Sequence, residues 1–445
     1  MVSANTLFKK ILNVKHVVIE GVDICQEDNI PRIVVKVRPT SRYANRCPYC
    51  GRVCVGYDQP TKHPRRWRAL DICGAIVELE AHTHRIKCPE HGTLTADVPW
   101  AYPGSNFTKD FELVVAWFAA HLPRSVVSHY MRIDWKTVGR CVSRTLHEIE
   151  PERQHRLNGL VNIGIDETSY KKGHKYITVV VNHDTNTVVW AAEGHGKSVL
   201  TKFYNQLTEE QRAGIRVVTG DGARWITDCV EEFTPDCERC VDPFHVVQWA
   251  MDALDEVRLE AWRCAFKIAK MLAEAHPQKK GRPSEQDKEA AEVNAARKKA
   301  SHIKGAAYTL GKAPENLSEN QKQRLEIIAN EDPRLYRAYQ YKEALRLILK
   351  SDSVSEAAEL LKSWLWKTSH SKIPAICELS KKVRRNMQHI LNAIRYGMSN
   401  ARVEAINNKI KLIIRKAYGF RNVQNMLDMV YLVCSNIRIQ LPNRS

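Results

Sequence analysis

No stretch of the chain reaches the roughly 18 consecutive apolar residues that a transmembrane helix needs, which excludes a helical membrane span. The opening residues, MVSANTLFKKILNVKHVVIE, lack an apolar core followed by a small-residue cleavage site, so no secretory signal is expected. Acidic residues are in short supply: 50 Asp and Glu stand against 68 Lys and Arg, a formal net charge of +18 over 445 residues. That surplus argues for a polyanionic partner, nucleic acid first and an anionic membrane surface second, with a generic basic protein as the plain alternative. Low-hydrophobicity disorder is excluded as well, because 44% of the residues are hydrophobic. A chain this long is expected to divide into about two to four domains. Cysteine, by contrast, is plentiful. Thirteen cysteines without a signal point to reduced thiols and metal ligation in a cytoplasmic protein, not to a disulfide framework.

Two of those cysteines form Cys47-Pro48-Tyr49-Cys50-Gly51, and a third opens Cys88-Pro89-Glu90-His91-Gly92. Ligands spaced C-x-x-C or C-x-x-H can grip one metal from a tight knuckle, and the following glycine lets the backbone turn. Cys47, Cys50, Cys88 and His91 therefore make a candidate structural Zn2+ site of the Cys3His kind. Cys54, Cys73, His82 and His84 lie close enough in sequence to replace one ligand, and four unrelated residues remain the plain alternative. Upstream, VKHVVIEGVDI and PRIVVKVRP read as strands; WRALDICGAIVELEAHTHRIK reads as a hairpin leading into the second knuckle.

From 108 to 149 the pattern turns helical. FELVVAWFAAHL ends at Pro123, then RSVVSHYMRI and DWKTVGRCVSRTLHEIE follow, with Asp134 as N-cap of the last helix. Two short helices joined by a tight turn, the second carrying Lys136, Thr137, Arg140 and Arg144, fit a helix-turn-helix that reads double-stranded DNA. Trp135, Val138, Cys141, Val142 and Leu146 are expected on its inner face. An ordinary helical hairpin with solvated charges is the alternative.

The stretch VNIGIDETSYKKGHKYITVVV (161–181) holds two apolar strands joined by a basic turn, and the first ends in Asp166. A carboxylate beside such an apolar ladder is unfavourable unless a cation compensates it. A third strand and a helix follow, then IRVVTGDGARW, a strand ending in Asp221, and a strand-like CERCVDPFHVV. Three antiparallel strands, a helix, a strand with a carboxylate and another helix is the order of a ribonuclease H-like domain, in which the first and fourth strands are neighbours. Asp166 and Asp221 would then sit side by side, able to bridge two divalent ions, Mg2+ or Mn2+, for phosphodiester chemistry. Downstream, 398–420 reads as a helix. Asn400, Glu404, Asn408, Lys411 and Arg415 fall on one face, and Val403, Ile406, Ile410 and Ile413 on the other. Glu404 among cations suits a helix that holds metal and phosphate; a surface glutamate in helical salt bridges is the alternative.

CPYCG with KCPEHG, IGIDETSYKKGHKY, VVTGDGARW, DPFHVVQW and SNARVEAINNKIKLIIRKAYGFRN occur in that order. On these stretches nearly the whole chain resembles the ISL3 family of bacterial insertion-sequence transposases, a DDE-type group. The resemblance implies a catalytic triad of Asp166, Asp221 and Glu404 binding two Mg2+ ions. It also implies recognition of terminal inverted repeats by the N-terminal modules, cleavage and transfer of strands into target DNA, and a homodimer on DNA. Asp242 and His245 resemble a motif near the second aspartate in related groups; ordering of the neighbouring strand is their plain reading. A sequence-specific DNA-binding regulator on an inactive nuclease fold is the rival from another class.

The fold expected is multidomain α+β. It comprises a zinc-binding β module (1–105), a helix-turn-helix (106–158) and a ribonuclease H-like α/β core (159–249 and 396–445) interrupted by an all-helical insertion (250–395). Within the insertion, Lys-Lys-Gly-Arg-Pro around Arg282 could act as a minor-groove hook, though a solvated loop fits it as well, and Trp364 and Trp366 could stack on a flipped base or pack the helices.

Overall fold

The computed structural model describes residues 3–442 apart from 13, 28, 151–152, 276–287 and 399, so the stretch around Arg282 lies outside the described residues. The chain forms two compact units: Met1–His155 with Lys409–Ser445, and Arg156–Asn408.

The first unit opens with helix α1 (Ala4–Leu12), then strands β1 (Val17–Glu27), β2 (Ile30–Pro39), β3 (Val55–Gly56), β4 (Arg65–Arg68), β5 (Ile76–Ala81), β6 (Arg85–Cys88) and β7 (Gly92–Thr95). They make a four-stranded sheet, β1-β2-β5-β4, and a three-stranded sheet, β3-β6-β7. Alternation decides which face of the larger sheet is inner: Val35, Val37, Val77 and Leu79 are buried with Trp67 and Trp100. Helices α2 (Lys109–His121), α3 (Arg124–Met131) and α4 (Trp135–Ile149) follow around Phe111, Val115, Val127, Val138 and Cys141. Thr108 caps α2 by accepting from Phe111 N, and Asp134 caps α4 by accepting from Lys136 N at 2.8 Å. Arg132, in the left-handed conformation at φ 54°, turns the chain between α3 and α4.

The second unit holds β8 (Asn162–Lys171), β9 (Lys175–Asn182), β10 (Thr187–Glu193), α5 (Lys197–Tyr204), α6 (Glu209–Gly214), β11 (Val217–Gly220), α7 (Arg224–Phe233) and β12 (Glu238–Val241). Its five strands are ordered β10-β9-β8-β11-β12. The β8–β9 and β9–β10 pairs are antiparallel, while β8–β11 and β11–β12 are parallel. Ile163, Ile165, Val180 and Val218 pack under Leu200, Phe203 and Tyr204 of α5 and Ile226 of α7.

The expected strand 237–247 ends at Val241. Pro243 starts a helix because its missing N–H is one that a first turn leaves unbonded anyway, and Asp242 Oδ1 accepts from Phe244 N at 3.2 Å. That helix, α8 (Pro243–Ala275), leads into α9 (Lys288–Lys304), α10 (Ala307–Gly311), α11 (Glu319–Glu331), α12 (Pro333–Ile348), α13 (Val354–Ser369), α14 (Pro374–Arg385) and α15 (Met387–Tyr396). Trp364 is 3% exposed, its indole donating to Tyr341 O at 2.9 Å, so it is a core residue. Trp366 is 65% exposed beside His370. Helix α16 (Ala401–Lys416) buries Val403, Ile406, Ile410 and Ile413, the face expected, each contributing roughly 2 kcal/mol. Helix α17 (Val423–Cys434) completes the first unit. Among the described residues no helix is long and apolar enough to cross a membrane.

Candidate active site and DNA-binding elements

Three aspartates stand level on the neighbouring parallel strands β8, β11 and β12: Asp166 lies inside β8, which runs past the strand end expected there to Lys171, while Asp221 and Asp242 directly follow β11 and β12. Val217, Val218 and Thr219 of β11 pair with Asn162, Ile163 and Gly164 of β8, and the same β11 residues with Gly220 pair with Glu238–Val241 of β12. Carrying both registers forward places Asp221 level with Asp166 on one side and with Asp242 on the other. The Asp242 amide donates to Gly220 O at 3.0 Å, which continues the β11–β12 ladder to that level.

Asp166 is half-buried. Its Oδ1 accepts from Glu167 N at 2.8 Å and its Oδ2 from Asn407 Nδ2 at 2.7 Å. Burial pushes its carboxyl pKa up; the Glu167 amide and His245 pull it down, and the Asp221 and Asp242 carboxylates add to the rise. Asp221 Oδ1 accepts from Ala223 N at 3.0 Å. Asp242 is 4% exposed, and burial raises it too, against the amides of Asn400 and Phe244 and against His245, with Glu404 adding to the rise. Glu404 is exposed in the first turn of α16. Asp166 thus feels the charge of Asp221, Asp242 and His245, and Asp242 that of His245 and Glu404. Asp242 and His245 belong to this acidic group and also open α8.

A network of small residues seats α16 on the sheet. Thr219 Oγ1 donates to Asn400 Oδ1 at 2.6 Å, and His183 Nε2 lies 2.7 Å from the same hydroxyl. Since that hydroxyl's one proton goes to Asn400, the histidine must donate from Nε2. A Cβ at Gly164 would come within 2.5 Å of Val403 Cγ2 and 2.7 Å of His183 Nε2, so glycine is what lets α16 approach β8. Asn400, expected on the outward polar face, is 2% exposed and faces the sheet.

Four residues escaped the sequence reading. Asn407 sits one turn beyond Val403 on the docked face; a lone polar residue in that apolar stripe was the available signal. Glu167 is half-buried, its pKa raised by burial and by Asp221 and Asp166 against His195, whose Nδ1 is 4.0 Å from Oε1. Trp249 of α8 closes on Gly222, where a Cβ would fall 2.3 Å from the indole, and Lys382 of α14 lies 4.1 Å from the indole centroid. Burial lowers the Lys382 pKa, opposed by Asp221 and Asp252.

The donor set is oxygen-rich and net negative, as a hard divalent ion requires, and Asn407 Oδ1 and Glu167 Oε1 are buried without a hydrogen-bond partner. Asp166, Asp221 and Glu404 are not gathered about a single point: among the described residues only Cys47, Cys50, Cys88 and His91 bring three or more ligand atoms of His, Cys, Asp or Glu within 4.8 Å of one another. Ligands of two ions about 3.5–4 Å apart spread more widely than those of one tetrahedral centre.

That second group is compact. Cys47 Sγ is 3.7 Å from His91 Nδ1, Cys50 Sγ 3.7 Å from Cys88 Sγ, and Cys88 Sγ 3.6 Å from His91 Nδ1. A tetrahedral zinc with Zn–S bonds of about 2.3 Å has edges of about 3.8 Å, so the residues fit. Gly51 and Gly92, at φ 67° and 73°, make the two knuckle turns. Of the possible substitutes, His82 is hydrogen-bonded to Thr61 O and His84 to Asn45 Oδ1.

On α4, Lys136 and Arg140 are exposed and Thr137 is partly so. Arg144 departs from the expectation of a DNA contact: its Nε donates to both oxygens of the fully buried Glu112, at 2.8 and 3.0 Å, which ties α4 to α2. Trp135 departs in the other direction, 38% exposed instead of packed inside. It is the first residue of α4, ahead of Val138 and Cys141, which pack with Phe111, Val115 and Val127. Lys411 and Arg415 are exposed on α16.

Three family profiles match the chain in order. One described as a zinc-finger of transposase IS204/IS1001/IS1096/IS1165 covers residues 44–91, one described as the helix-turn-helix domain of transposase family ISL3 covers 96–145, and one described as Transposase covers 163–430. The transposase for insertion sequence element IS1557 of Mycobacterium tuberculosis is 40% identical over 441 residues, 98% of this chain and 97% of the relative. The transposase for insertion sequence element IS1001 of Bordetella parapertussis is 23% identical over 398 residues, 89% of this chain and 90% of the relative.

Proposed function

Because the chain belongs to the ISL3 family of insertion-sequence transposases, we propose that it binds the terminal inverted repeats of its element as duplex DNA and there cuts and joins strands. Asp166, Asp221 and Glu404 are the catalytic carboxylates in this reading. The observation that carries it is the parallel β8–β11 register, which sets Asp166 and Asp221 level on adjacent strands while α16 donates Asn407 to Asp166. The strand order β10-β9-β8-β11-β12 supports a ribonuclease H-like core, and α8–α15 read as its helical insertion.

Mg2+ or Mn2+ held by these carboxylates would activate the attacking oxygen and stabilise the leaving one. The chain's own contribution is positioning. Asn407 orients Asp166, the Thr219–Asn400 bond seats the helix bearing Glu404, and Lys382 offers a cation beside Asp221 for a phosphate. Cys47, Cys50, Cys88 and His91 hold a structural zinc that fastens β6 and β7 to the first knuckle. The protein acts in the cytoplasm at the nucleoid, as a homodimer on paired ends.

The test is incubation of the full chain with end-labelled duplexes carrying the element's termini and Mg2+. Nicked and joined products are expected. Tight, sequence-specific binding with neither product in Mg2+ or Mn2+ contradicts the reading and leaves a DNA-binding regulator.

A further inference from the structure

Residues 418–422 lie beside the N-terminus of α4. They leave α16 through Tyr418 and Gly419, both at positive φ, and enter α17 at Asn422, whose Oδ1 accepts from Gln424 N at 2.8 Å. Between these fixed ends the Arg421 guanidinium lies 5.4 Å from the Trp135 ring centroid, and Lys136 Nζ lies 6.0 Å from the same ring. The loop is anchored to the helix-turn-helix twice more. Arg124 of α3 stacks 5.0 Å from Phe420, and Gly139 of α4 leaves room for Asn425 of α17, whose Nδ2 would be 2.8 Å from a Cβ there.

An indole at the first position of a helix, more than a third exposed and flanked by two cations, has no packing role that explains it. Stacking on an aromatic face engages the plane of a guanidinium and leaves its N–H fork directed outward, preorganised for a phosphate or a guanine edge. Among the described residues Lys136, Arg140 and Arg421 form no ion pair, whereas Arg144 on the same helix is neutralised by Glu112. The unpaired charge therefore gathers at the end of α4 that a helix-turn-helix presents to base edges.

We propose that the DNA-reading surface is composite: Arg421, supplied by the segment between α16 and α17 and held on Trp135, contacts duplex DNA alongside Lys136 and Arg140. This rests on the helix-turn-helix of the proposed function. It adds a contact from a part of the chain nearly three hundred residues downstream, and it makes the C-terminal helices part of the end-recognition module.

The experiment measures affinity of the full-length wild type, Arg421→Gln, Lys136→Gln and Arg140→Gln for a duplex selected by the wild type from a randomised pool, and for a scrambled duplex, across a salt series. All three side chains are exposed, and a thermal melt checks that each variant is folded. Arg421→Gln is expected to weaken binding to the selected duplex roughly tenfold and to flatten the dependence of log affinity on log salt by about one. Wild-type affinity and slope for Arg421→Gln, with Lys136→Gln or Arg140→Gln impaired, overturns the composite surface and leaves the helix-turn-helix reading standing. All three variants binding as wild type overturns both.

Discussion

The side-chain amide of Asn407 donates to Asp166 Oδ2 at 2.7 Å, joining α16 to β8 across 241 positions of chain. Asp166 is thereby oriented by a helix that the chain reaches only after α8–α15. Asn407→Ala leaves a half-buried carboxylate, already raised by burial and two neighbouring aspartates, without one of its donors. Loss of about 1–3 kcal/mol of stability is expected. Strand nicking should fall while end binding holds, as measured by melts, nicking rates and affinity on one preparation. A folded Asn407→Ala that nicks at the wild-type rate removes Asn407 from any positioning role.

A second prediction concerns pH. His183 is 2% exposed, and burial with the Arg402 cation pushes its pKa from 6.5 to about 4, opposed by Asp184. Between those values the unfolded chain takes up the proton and the folded chain does not. Stability therefore rises with pH from about 4 to 6.5 and is lost again on acidification, by up to roughly 3 kcal/mol. His183→Gln keeps a donor for Thr219 and should flatten that slope in denaturant titrations run across the window. Identical slopes for the two proteins would refute the assignment.

Arg144→Ala should act on stability, not on sequence recognition. It strands Glu112 in the α2–α4 contact, at about 3 kcal/mol in neutral solution. Burial raises the Glu112 pKa, so the folded protein takes up this proton more readily than the unfolded one. A protonated carboxyl needs no counter-ion, so the deficit of the variant should shrink as pH falls towards the carboxylate range. A variant as stable as wild type with weakened DNA binding would return Arg144 to the reading surface.

Much of the site was legible because it is local. The apolar run before Asp221 marks a strand end and the one before Asp166 a strand that continues to Lys171, and the 3.6-residue period picks out Val403, Ile406, Ile410 and Ile413 as the docked face. What was not legible depends on distant partners. Asn407 falls on the apolar face of α16, but nothing in the sequence tells that Asp166 of β8 lies beneath it, and the Trp249–Gly222 contact joins a helix to a turn that no periodicity links. Arg144 and Trp135 exchanged expected roles for the same reason: a buried Glu112 draws in one, and the loop bearing Arg421 attends the other.

The zinc group makes a prediction of its own. One zinc per chain is expected by elemental analysis, and Cys88→Ser should lose it together with the β3-β6-β7 sheet, because Cys88 ends β6 and shares that small core with Cys47 and Ile86. Chelation that left the module folded and metal-free would contradict a structural zinc.

The most direct measurement is strand cleavage of labelled element ends by Asp166→Asn beside the wild type, with end binding followed in the same samples. The substitution keeps the shape of the side chain and removes its charge. Asp166→Asn is expected to bind the ends as wild type does and to yield neither nicked nor joined strands in Mg2+ or Mn2+. Cleavage by Asp166→Asn at a rate near that of the wild type would contradict a catalytic Asp166.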